Sequence, residues 1–308
     1  MLGAVYEYGD DGQPPYQFTV QPQVLRTTGG RRDYEVFFDA PGRLLPGWHL
    51  TAEGFREQLL SAPFYGIGNE TAFEPDRTDR HPHFYQYKRT RTEGAFTVQR
   101  PLGDRPLRLL AGWRIGRSAF DPHADATPGS NRFLDWRNDA SPSGHDWLSA
   151  PRVGLVWDGR DRKVGTRRGI WSELLLERAL PVLGSDHGFT RLTGLFRHYR
   201  PLSERFVAAV RLIGRQILGD PPFHELSRIQ TSRETLDGLG GSDTVRGVPK
   251  HRFVGRGLLA ANLLVRGRLF SLQLLGREID VLGTVFTDGG RVWTDRIVLA
   301  EAYRSWHG

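Results

Sequence analysis

Residues 240–253 read GGSDTVRGVPKHRF, residues 257–270 read GLLAANLLVRGRLF, and residues 281–293 read VLGTVFTDGGRVW. The first segment is loop chemistry, with Val245, Arg246 and Gly247 at the tip of a Gly-flanked turn. The second alternates. Leu259, Ala261, Leu263 and Val265 take one face, and Asn262, Arg266 and Arg268 take the other. In the third, Asp280, Leu282, Thr284, Phe286 and Asp288 share a face, because residues two apart on a strand point the same way. Val281, Gly283 and Val285 form the opposite, small and apolar face, which suits hydrocarbon. Asp288 is therefore expected to point inward.

The same period of two runs outward from this stretch. Tyr16, Phe18, Val20, Pro22 and Val24 oppose Gln17, Thr19, Gln21 and Gln23. Tyr34, Val36 and Phe38 oppose Asp33, Glu35, Phe37 and Asp39. Leu107, Leu109, Ala111, Trp113 and Ile115 oppose Arg108, Leu110 and Arg114, and Phe206, Ala208, Val210 and Leu212 oppose Arg211 and Arg215. These runs of about nine to fifteen residues fit tilted membrane strands, which need roughly nine to eleven, better than ordinary globular strands of about five or six. Arg, Glu and Gln on the inner face suit a wet bore and would be costly in the dry middle of a sandwich. The expected fold class is all-β, a transmembrane antiparallel up-and-down β-barrel.

Strands are expected near residues 2–9, 15–28, 31–40, 46–59, 83–100, 105–118, 150–158, 169–181, 188–200, 203–218, 256–270 and 279–288, with an incomplete one from 297. That is about 12–13 strands in one domain spanning 1–308. Two long insertions interrupt them, one near 120–149 and one near 219–255. Membrane barrels have short periplasmic turns and long outer loops, so both are expected on the extracellular side.

Composition bounds the alternatives. The chain of 308 residues carries thirty-seven Gly and nineteen Pro, which suits many strands joined by turns. It has no Cys, which excludes disulfides, Cys-ligated zinc and thiol catalysis. No apolar run reaches eighteen residues, which excludes a transmembrane helix but not a barrel. The formal charge of +7 comes from Arg spread along strand-like segments rather than gathered in a patch, so no nucleic-acid partner is expected. An Arg-lined lumen or contact with anionic lipopolysaccharide accounts for the charge.

The order of these pieces resembles the outer-membrane assembly and translocation barrels of the BamA/TamA superfamily, the bacterial surface antigens. In that family the tip of the sixth outer loop docks its Arg on the Asp of an F-x-D strand motif. The match here is Val245, Arg246 and Gly247 on the loop and Phe286 and Asp288 on the strand. Such a pairing is physically sound, because a guanidinium fork fits a carboxylate and either charge alone in a partly dry lumen is costly. Val248 departs from the family's usual aromatic, and Leu264 stands where the family often has an inward Glu. Phe64, Tyr65, Gly66, Ile67, Gly68 and Asn69 are similar to a family FYGIGN turn. Asp158, Arg160 and Asp161 are similar to its D-x-R-D hairpin, and Pro221-Pro222-Phe223 to the start of its sixth loop.

The resemblance implies an outer-membrane location in a Gram-negative cell. It implies assistance to insertion or translocation of client polypeptides without a cofactor, with outer-membrane lipid and lipopolysaccharide as surroundings. It also implies a barrel of about sixteen strands preceded by periplasmic domains. The opening MLGAVYEYGDDG has neither a basic n-region nor an apolar h-region, so a fragment lacking its signal peptide, its periplasmic domains and its last strands is expected, with an open sheet. A passive pore or structural barrel is the alternative.

Catalytic motifs are missing. There is no H-E-x-x-H, G-x-S-x-G or P-loop, so no enzyme is expected. His81-Pro-His83 reads as a solvated loop rather than a metal site, and no metal is expected. Trp48, Trp113, Trp171, Tyr199 and Phe270 fit either an interfacial girdle or a sandwich core.

Overall fold

A computed structural model describes residues 17–307 except 43, 138–143, 275–276 and 303. Eleven strands form one antiparallel sheet, and two more form a hairpin inside a loop. The large sheet contains β1 (Thr19–Arg26), β2 (Arg32–Pro41), β3 (His49–Pro63), β4 (Gln86–Pro101), β5 (Leu107–Asp121), β6 (Gly144–Asp158), β7 (Gly169–Ala179), β8 (Phe189–Pro201) and β9 (Phe206–Gly219). The hairpin is β10 (Arg228–Gln230) with β11 (Thr235–Asp237). The sheet then resumes with β12 (Gly257–Leu274) and β13 (Arg277–Trp293). Each strand pairs with its sequence neighbours, and β9 pairs with β12 across the long loop. This is the up-and-down order of a membrane barrel. The short helices α1 (Pro75–Arg80) and α2 (Arg132–Arg137) lie in two connections at one end.

The alternation assigns the faces. Val24, Val36, Leu109, Ile115, Val153, Leu212, Leu263 and Val285 are exposed on the outside, whereas Arg114, Arg191 and Arg215 are buried on the inside. On β6, Trp147 and Trp157 share the outer face and bracket Val153 and Leu155. Ten residues at about 3.4 Å each, on a strand tilted by about 40°, span roughly 25 Å, the height of a barrel's apolar band. Loop lengths give the orientation. The β2–β3, β4–β5, β6–β7 and β8–β9 connections lie at one end, and the β1–β2, β3–β4, β5–β6, β7–β8 and β9–β12 connections, which include the longest, lie at the other. The long-loop end is the extracellular one.

Several expected boundaries shift. The strand expected near 2–9 lies outside the described residues. The one expected from 297 is instead a 3-10 turn at Leu299–Glu301, followed by an isolated bridge between Gly290 and His307. The insertion expected over 120–149 is shorter, because His145 and Trp147 already pair with Ala119 and Arg117. Both β12 and β13 run longer than expected, through a bulge between Arg268 and Phe270. Among the described residues no ladder joins β1 to β13, so the sheet is open.

The interior is not a wet bore. The 220–256 loop folds back inside and brings Ile229, Leu236, Leu239, Val245 and Phe253 against inward Leu110, Trp171, Leu175, Leu195, Ile213 and Leu258. The lumen-facing rows thus alternate between charge and a dry apolar plug, because a loop rather than water supplies their partners. Trp171 and Tyr199 point inward and are not girdle residues. Arg160 lies 4.5 Å over the Trp171 ring, and Arg266 lies 6.0 Å over Tyr199. Trp48 and Phe270 are exposed.

Candidate functional site

The loop's tip is held by strand β13. Gly240 and Gly241 take positive φ and turn the chain, and the Thr244 hydroxyl donates 2.6 Å to the Gly238 carbonyl while accepting from the Gly240 N–H. This aims Arg246 at Asp288. Arg246 Nε donates to Asp288 Oδ2 at 2.6 Å, its Nη2 donates to Oδ1 at 2.7 Å, and its backbone N–H reaches Oδ2 at 3.1 Å. The guanidinium also sits 3.4 Å over the centre of the Phe286 ring. Asn262 Nδ2 donates 2.7 Å to Asp288 Oδ1 and 2.5 Å to the Thr244 carbonyl. Arg211 Nε donates 2.8 Å to the Asn262 oxygen, so β9, β12 and β13 all contribute. The Asp288 side chain is only 2% exposed, against 30% for Arg246. Val245 is buried in the plug, and Val248 packs against its edge where an aromatic would have stood. Gly247, at φ 87, closes the tip.

A second tie lies deeper. Glu93 on β4, Arg114 on β5, Glu177 on β7 and Arg191 on β8 point inward at one level. The loop adds Glu225, from the 3-10 turn Phe223–Glu225, and Arg228, from β10. Arg228 forks onto Glu93 at 2.7 and 2.9 Å and donates to Glu225 at 3.1 Å. Arg114 forks onto Glu177 at 3.0 and 2.8 Å and reaches Glu225 at 2.9 Å and Glu93 at 3.1 Å. Arg191 donates 2.6 Å to both Glu177 and Glu225. Three guanidiniums thus neutralise three carboxylates, the condition under which buried charge is tolerated. Burial alone would raise the Glu225 carboxyl, but Arg114, Arg228 and Arg191 outweigh it and hold the group well below the ordinary carboxylate range. Arg215, equally buried, donates to the carbonyls of Leu226 (2.8 Å) and Gly255 (2.5 Å), where the loop enters and leaves.

The FYGIGN turn grips the loop's two ends. Phe64 meets Phe223 edge-on at 6.0 Å within a cluster that includes Tyr87, Phe120 and Phe133. Arg252 lies 5.2 Å over Tyr65 and donates 2.6 Å to Thr71. The Gly68 N–H donates to the Val254 carbonyl at 2.8 Å, with Gly66 and Gly68 both at positive φ. Asn69 is buried and accepts from the Val292 N–H of β13. Asp158, Arg160 and Asp161 lie at the opposite, periplasmic end and do not join this assembly. Arg160 forks back onto Asp158 at 2.7 and 3.1 Å, and Asp161 accepts from the Arg167 N–H at 3.1 Å, closing the turn.

The residues missed from the sequence are Glu93, Glu177, Arg191, Glu225 and Arg228. Parity marks Glu93 beside Arg114 as inward once the ladder is known. Nothing local marks Glu225 or Arg228, whose partners lie up to 135 residues away.

Comparison with known proteins follows from this geometry. Residues 19–298 match the family described as the Omp85 superfamily domain. Among solved structures, BamA from Haemophilus ducreyi lacking POTRA domains 1–3 is similar over 85% of this chain and 50% of its own, with TM-score 0.54 and 15% identity. The chain therefore spans about half of that BamA chain. The Pseudomonas putida toluene transporter TodX aligns over 89% of this chain and 77% of its own, at 10% identity and TM-score 0.34. No curated protein matches the sequence.

Proposed function

The chain belongs to the Omp85 superfamily and is an outer-membrane β-barrel of that type, and from this premise we propose that it assists insertion or translocation of client polypeptides. The observation that carries the reading is the interior. The loop fills it with an apolar plug and a neutral ion network, an arrangement suited to bracing a wall rather than conducting solutes.

Outer-membrane lipid and lipopolysaccharide are the surroundings this reading calls for. Arg26, Arg32 and Arg117 are exposed on outer-face rows towards the extracellular ends of β1, β2 and β5, and Arg56, midway along β3, stands in register with Arg117 and Trp147. That placement suits lipid phosphates. The single-domain reading of 1–308, with 219–255 as its plugging loop, belongs to the same proposal.

The test is reconstitution in vesicles with an unfolded outer-membrane client. Faster client folding, and photocrosslinking of client strands to probes at Val20 on β1 or Val285 on β13, are expected. A passive pore is favoured by one feature, a basic vestibule of about 380 Å³ lined by Arg160, Lys163, Arg197, Arg233 and Arg266. Steady conductance with no effect on client folding would establish that reading instead.

A further inference from the structure

Outside the plug, two extracellular connections bring together His83, His123 and Asp125. One ligand atom from each lies within 4.8 Å of the other two. We propose that they form a divalent transition-metal site, best suited to Zn²⁺, that clasps the β3–β4 connection to the β5–β6 connection.

The backbone is already fixed for this. Asn131, fully buried, donates through Nδ2 to the carbonyls of His83 (2.8 Å) and Gln86 (2.9 Å), and the Arg132 N–H donates to the Phe84 carbonyl at 2.7 Å. Those bonds bind one connection to the other beside the histidines. The two imidazoles stack 3.9 Å apart and 4° from parallel, and His83 Nδ1 lies 3.1 Å from Asp125 Oδ2. An imidazole lone pair lies in the ring plane, so the partly exposed His83 ring must turn out of the stack for both nitrogens to meet one ion.

The pointer to a ligand is His123. It is only 9% exposed, and its Nε2 is buried without a hydrogen-bond partner. A buried unpaired imidazole nitrogen is costly, and a metal ion is one partner that removes the cost. Two nitrogens and a carboxylate are a borderline donor set that favours Zn²⁺ over Ca²⁺ or Mg²⁺, which prefer oxygen. Asp125 is largely exposed, which gives the ion an open side and room for a water ligand.

The experiment is calorimetric titration of the folded chain in detergent with zinc chloride near neutral pH, repeated with cobalt chloride under visible absorption. A single equivalent of Zn²⁺ and the ligand-field bands of a low-coordinate Co²⁺ site are expected. His83→Gln, at an exposed position that leaves the fold intact, and His123→Gln should each weaken binding by at least about tenfold. Loss of the Co²⁺ bands in both variants would support the site. Absence of Zn²⁺ binding, or one equivalent bound equally well by both variants, would overturn it.

Discussion

Arg228 and Glu93, 135 residues apart, form a bidentate ion pair at 2.7 and 2.9 Å between the plugging loop and strand β4. Both side chains are nearly fully buried, and the pair is one side of a closed set of three arginines and three glutamates. Removing a single charge from such a set leaves another uncompensated. Glu93→Gln is therefore expected to destabilise the folded barrel by about 3–5 kcal/mol. The measure is the urea midpoint and the temperature at which the compact gel band is lost. A loss below 1 kcal/mol, the scale of an exposed ion pair, would show that water reaches the network.

The Arg246–Asp288 pair differs because one partner is buried and the other is partly exposed. Arg246→Ala leaves Asp288 with only Asn262 and a backbone N–H, at a cost of about 1.5–3 kcal/mol. Asp288→Ala frees an arginine that can reach solvent, so it should cost less. The double variant should add little to Arg246→Ala. Strictly additive losses in heat-resistance assays would argue against direct coupling.

Acid should release the loop before it unfolds the wall. His224 lies 2.9 Å from Asp146 and 3.9 Å from Glu225, and His251 lies 3.1 Å from Asp237, which Lys250 also contacts. Burial lowers both imidazoles from their ordinary 6.5 despite these carboxylates, with Arg89 adding to the effect. A released loop then takes up protons first. The stability tied to these groups is whole above pH 6.5 and drains as pH falls towards the depressed folded values. Glu225 stays charged through that window. Limited proteolysis of the loop should rise below pH 6.5, and His224→Gln with His251→Gln should flatten the rise.

Two glycines in the loop should respond unequally. A Cβ at Gly240 would run into the Pro249 carbonyl oxygen, whereas at Gly247 it meets open space, although both residues have positive φ. Gly247→Ala should cost about 1–2 kcal/mol from the backbone alone. Gly240→Ala should cost more and should loosen the Arg246 tip, read as increased protease access at residues 244–248.

Much of this was legible because a strand's period is rigid. Once Val285 was placed outward and Asp288 inward, the face of every neighbour on β13 followed. The same parity put Arg114 and Arg215 inside. What parity cannot give is depth or partner. The inward rows read as wet because their polar residues had no visible counterpart, and the counterparts arrive on a loop whose path depends on distant contacts. Trp171 and Tyr199 were ambiguous for the same reason, since an aromatic suits a lipid interface and a guanidinium alike. Arg246 and Asp288 were recognisable only as a family pattern. The Glu93–Arg228 pairing had no local signal, because Arg228 follows a 3-10 turn and carries no periodic mark.

The loop's attachments have a mechanical meaning. Arg228 fastens it to β4 and Arg246 fastens it to β13, strands separated by six others in the sheet. The folded-back segment therefore acts as a tie-rod across the arc. A displacement of β13, such as the docking of a guest strand beside it, would be transmitted through that rod to the far wall rather than dissipated strand by strand.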